Sequence, residues 1–129
     1  MVLKKELTLF DRDEKGDLIP QEVKLEVDES NSHYDELKDE TIRIIPMTRG
    51  EIRRIFSSLD GSKDKERDID EDVIVNHCVE PKYSKEDAKF LKSEFSGVIV
   101  STILKYSGLD ITKGKQDALK EAEDDFAKN

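Results

Sequence analysis

Asp11, Asp13, Asp17 and Glu22 come nearest to a chemical motif in this chain. Asp11, Asp13, Gly16, Leu18 and Glu22 fall at positions one, three, six, eight and twelve of an EF-hand-like calcium loop, with the Asp17 carbonyl at seven. Such a ring of hard oxygens suits calcium. Lys15, however, occupies position five, where an oxygen ligand is needed and a cation is repelled. The flanking residues alternate as strands do, whereas a calcium loop of this kind lies between two helices. The favoured reading is an acidic hairpin turn; a metal site at Asp11, Asp13, Asp17 and Glu22 is the alternative.

Other reactive residue types are sparse. His77 and Cys78 could form a nucleophilic pair, but sequence neighbours point to different faces of a helix or strand. Cys78, the only cysteine, sits in the apolar run Val75–Val79 and reads as a small buried hydrophobe. Asp68, Asp70, Glu71 and Asp72 crowd what should be a helix start, where the helix dipole favours negative charge over a metal. His33 stands alone in a polar stretch and reads as exposed. No pair of titratable groups has the spacing that catalysis requires, so the chain is expected to be no enzyme and to need no cofactor.

The composition sets outer limits. The chain has 129 residues, 41% charged and 35% hydrophobic, without tryptophan, which suits a single domain with a modest core. A net charge of −9 disfavours nucleic acid as partner, since phosphate binding needs a basic surface. No stretch is long or apolar enough for a membrane span, and charge begins at Lys4, so a cytoplasmic protein is expected.

The elements that must position these residues follow from periodicity. Alternation at 4–10 and 22–28 predicts a β-hairpin, and Thr41–Ile45 a third strand closed by Pro46. Residues 28–40 read as a long acidic loop. Thr48 with Glu51 forms a capping box, and Ile52, Ile55, Phe56 and Leu59 make one apolar face, so 48–59 is a helix. A second helix is expected over 68–78, with a strand at Val73–Val75 as the alternative. Ser84 caps a helical region reaching 107, either kinked or split at Ser96-Gly97, and Gly108-Leu109 ends it as a Schellman motif would. The fold class is α+β: a small N-terminal hairpin or three-stranded sheet, then a mainly helical bundle. Residues 1–109 form the domain, and 110–129, with Ala118, Leu119, Ala122 and Phe126 at helical spacing, a mobile or partner-ordered tail.

Six of the nine residues from Val98 to Tyr106 are apolar, an arc wider than a surface helix needs. Either this helix is the buried centre of the domain, or one edge of it meets another chain or a second copy. On the second reading Val98, Val100 and Leu104 are partner-binding residues, joined by the basic Arg49 and Arg53 of the first helix.

The order of parts resembles a family. Ile45-Pro46-Met47-Thr48-Arg49-Gly50-Glu51-Ile52, then Val79-Glu80-Pro81-Lys82-Tyr83-Ser84-Lys85-Glu86-Asp87, then Ile103-Leu104-Lys105-Tyr106-Ser107-Gly108-Leu109 is similar to a tail assembly chaperone of long-tailed, siphovirus-like phages, over roughly residues 42–109. The resemblance implies a mainly helical protein of the host cytoplasm that coats the tape-measure protein, keeps it soluble and is absent from the mature virion. It also implies a longer frameshifted product that recruits tail-tube protein. The acidic loop at 28–40 and the calcium-like hairpin depart from that pattern. Two other functions stay open: a structural tail-completion or head–tail joining protein, and a small calcium-binding module.

Overall fold

The computed structural model describes residues 2–58 and 63–109. Its sheet has three antiparallel strands in the order β1 (Gln21–Lys24), β2 (Thr41–Ile44) and β3 (Cys78–Glu80). Val23 lies opposite Ile42, and the β2–β3 ladder shifts register between Arg43 and Ile44. Among the described residues five α-helices accompany it: α1 (Tyr34–Leu37), α2 (Arg49–Ser58), α3 (Lys63–His77), α4 (Lys85–Lys89) and α5 (Ser93–Tyr106). This is the expected α+β class.

Strand alternation decides which face is dry. Val23, Ile42 and Ile44 are buried with Val73 and Ile74 of α3 and Ile99, Val100, Ile103 and Leu104 of α5. The opposite face carries Glu22, which accepts from Thr41, and Arg43, paired with Glu80 at 3.6 Å. One face is core and the other is solvated, as antiparallel sheets allow.

Three expectations about the strands change. The 4–10 segment is a 3-10 turn at Lys5–Thr8 with no buried residue, and β1 pairs with β2 instead. The hairpin does close at its tip: Arg12 bridges Leu18, and Ile19 donates to the Asp11 carbonyl. From Gln21 onward the strand pairs with β2 instead, with Gln21 opposite Ile44 and the Leu25 amide donating to the Glu40 carbonyl. The missing third strand is supplied by Cys78–Glu80, which was expected to end a helix.

The helices follow their caps. Thr48 and Glu51 make the predicted reciprocal box at the start of α2, and Ser84 with Asp87 does so for α4. The 84–107 region splits, but at Phe90–Lys92 rather than Ser96-Gly97; Gly97 lies inside α5. Leu91 packs on the core while Phe90 is 82% exposed. At the far end Leu109 donates to Leu104 and Gly108 to Lys105, with Gly108 at φ 96°, the predicted Schellman close. For 73–75 the helix wins over the strand, since Ile69, Val73, Ile74 and His77 form one helical face turned inward. The acidic loop holds the single-turn α1. The expected tail at 110–129 lies outside the described residues.

Candidate functional site

The acidic loop is built as a turn. Asp13 Oδ1 accepts the amides of Lys15 and Asp17, both at 2.9 Å, and the Asp13 amide donates to the Asp17 carbonyl at 2.7 Å. Gly16, at φ 87°, closes it. Glu22 lies apart on β1, on the open sheet face. Asp11, Asp13, Asp17 and Glu22 are therefore not gathered into a cage. Among the described residues no three His, Cys, Asp or Glu side chains are grouped to hold a metal ion.

His77 and Cys78 turn to different partners. The His77 ring is buried at the end of α3, with Nδ1 2.9 Å from the Ile45 carbonyl and Nε2 2.9 Å from Glu51 Oε2. Both contacts are to oxygen acceptors, so a proton on either ring nitrogen finds a partner. Glu51 is spoken for on its other oxygen, which accepts the Thr48 amide and hydroxyl. Cys78 donates to the Pro81 carbonyl at 3.2 Å. Burial pushes its thiol from 9.0 up to about 11, and burial, followed by the neighbouring Cys78, also raises the Tyr83 hydroxyl.

A raised pKa means that folding favours the protonated thiol, so its contribution is complete below pH 9.0 and is lost as pH rises toward 11. The urea midpoint should fall across that window, and Cys78→Ala should flatten the fall, leaving the part due to Tyr83. A thiol reagent at neutral pH should label Cys78 only at the rate of unfolding.

Two of the three stretches that carry the family resemblance, 45–52 and 103–109, meet here beside the end of α3. The Ile45 amide donates to the His77 carbonyl at 2.8 Å, and the Met47 amide to Ser107 Oγ at 2.8 Å. Ser107 in turn donates to Ile103. Residues far apart in sequence thus tie β2, the start of α2, the end of α3 and the end of α5 into one junction.

Beside the junction, α2 and α3 leave a cleft of about 370 Å³. Met47, Ile55, Ile69 and Val73 supply its apolar walls, and Glu51, Arg54, Asp72, Asn76 and His77 its polar rim. Glu51, Asp72, Val73 and His77 were read from sequence in other roles, and none was assigned to a cleft, although Ile55 belongs to the apolar face of α2. That face shows an excess of hydrophobe; only the spacing of two helices shows that the excess lines an opening.

The expected partner residues scatter. Val100 and Leu104 are each 1% exposed and sit in the chain's own core, so they present nothing to a partner, and the interface reading of these two is corrected. The arc on α5 is wide because the helix is covered by both the sheet and α3. Val98 lies at the edge of that core, on a second, acidic-rimmed cleft of about 340 Å³ with Glu26, Asp28 and Glu94. Arg49 and Arg53 are exposed on α2 and do not line the cleft that holds Val98. His33 is not the free surface residue expected: its ring packs on Phe95 at 4.9 Å and its Nε2 meets Glu94 at 3.2 Å. Backbone and hydroxyl of Ser30 hold the Asp28 carboxyl below its usual range, and the Glu26 carboxylate beside Lys105 raises that ammonium.

The chain matches no family model, no curated protein and no solved structure. Among the described residues no helix is long and apolar enough to cross a membrane.

Proposed function

We propose that this chain is an assembly chaperone of the phage-tail kind, a binding protein without catalytic chemistry that holds helical segments of a tape-measure protein. The observation that carries the reading is the cleft between α2 and α3, apolar within and charged at its rim. An amphipathic helix docks by laying apolar side chains into such a groove. A cleft of about 370 Å³ takes one or two side chains, so each contact is weak. Many copies along one long chain gain strength by multiplicity. The likeness of Ile45–Ile52, Val79–Asp87 and Ile103–Leu109 to the chaperone family supports the same reading. On it, the protein acts in the host cytoplasm, helps recruit tail-tube protein and leaves before the virion matures.

Co-expression with a tape-measure protein of a long-tailed phage tests it. The expected result is a soluble complex, weakened about tenfold by Ile55→Glu, which charges the cleft wall. An insoluble partner regardless of this chain would overturn the proposal. Finding the chain in purified mature particles would instead favour a structural tail component.

A further inference from the structure

The arm before the hairpin is apolar and bare. Val2 is 92% exposed, Leu3 73%, Leu7 79% and Leu9 52%, and the turn at Lys5–Thr8 is held only by local bonds such as Leu7 to Lys4. Four large hydrophobes within eight residues, in so charged a chain, leave water only if something covers them. The alternation of Leu7-Thr8-Leu9-Phe10 is a strand pattern without a partner.

The sheet has a matching vacancy. β1 is an edge strand, and because Leu25 bonds Glu40 in the β2 ladder, Val23 faces β2 while the backbone groups of Glu22 and Lys24 face outward. Charged side chains often guard such an edge. Here they are drawn inward across the open face: Glu22 accepts from Thr41 at 3.0 Å, and Lys24 reaches Asp39 at 3.8 Å. The other edge, β3, is three residues long and runs straight into Pro81, which offers no amide.

In its own chain the arm does not continue the hairpin's ladder, which stops at the tip, and from Gln21 onward β1 pairs with β2. We infer that the arm of one copy, residues 2–10, adds as a strand to the β1 edge of a second copy, and receives that copy's arm in return. Donor and acceptor are carried on the same chain, so the exchange is reciprocal and closes as a two-fold dimer. It covers the arm's leucines and pairs the outward groups of Glu22 and Lys24 together. The inference stands apart from the proposed chaperone function, since neither the α2–α3 cleft nor a foreign partner enters it.

Sedimentation velocity of the full chain over rising concentration should show monomer giving way to dimer. The Leu7→Asp/Leu9→Asp variant should stay monomeric with unchanged thermal unfolding, because both positions are exposed. Placement is read by mixing a Leu9→Cys chain with a Lys24→Cys chain and adding a short bis-maleimide; buried Cys78 stays unlabelled, and a covalent pair of one chain of each kind is expected. A wild-type chain that is monomeric throughout, a double variant that dimerises as well as wild type, or a dimer that yields no mixed pair would each overturn the exchange.

Discussion

Ile103→Ala should lower the free energy of unfolding by about 4 kcal/mol, seen as a large drop in the urea midpoint. Ile103 is 0% exposed and belongs to the cluster that joins α5 to Ile44, also 0% exposed, and to Ile74 of α3. Its neighbours sit on a sheet and two helices whose backbones are fixed by their own hydrogen bonds. The space left by the lost carbons therefore collapses little, which puts the cost toward the upper end for such truncations. Val98→Ala is the control. Val98 is on the same helix but at 9% exposure on the rim of a cleft, where water already reaches, so about 1 kcal/mol is expected. Against a total of roughly 5–15 kcal/mol for a domain of this kind, the first change unfolds a measurable fraction and the second does not. Equal losses at the two positions would mean that α5 is not centred as described.

His77→Ala should cost about 3 kcal/mol. It removes both bonds of the ring and leaves the Ile45 carbonyl without its side-chain donor. The Glu51 carboxylate loses its ring partner, but its side chain is 31% exposed, so water takes part of the load and the full penalty of an orphaned buried group is not reached. Glu51→Gln should be much milder, about 1 kcal/mol. The amide oxygen can still accept from Thr48, and the amide nitrogen can donate to Nε2 while Nδ1–H keeps Ile45. Urea unfolding of the two variants checks the order; equal losses would show that the ring's two contacts are not what holds it.

Much of this fold was legible because its signals are short-range. Thr48 with Glu51, Ser84 with Asp87 and the Gly108-Leu109 close are each complete within six residues, and all three formed as read. The alternation at Thr41–Ile44 and the inward face of Ile69, Val73, Ile74 and His77 likewise name a buried side without any partner being known. Where reading failed, the deciding contact was distant. The leucines of the arm alternate as well as Val23 and Leu25 do, yet one segment pairs and the other does not.

The candidate site was less legible than the fold. Val100 and Leu104 looked like surplus hydrophobe on one helix and proved to be the inner surface of a helix covered on two sides. Ile55 and Ile69 read as parts of buried helix faces, yet with Met47 they line the α2–α3 cleft. The calcium-like spacing at Asp11–Glu22 was true as spacing, but Asp13 spends its carboxylate on the turn's own amides.

Residue types and near neighbours were enough to settle the class of fold, the caps of α2 and α4, the close of α5 and the tightness of the acidic turn, because capping, turn and period are interactions of a chain with itself over a few residues. Strand partnership, the break between α4 and α5, the contacts of His77 and the cleft beside it came from elements brought together over tens of residues. Their energies depend on which faces meet, and periodicity records only that a face exists.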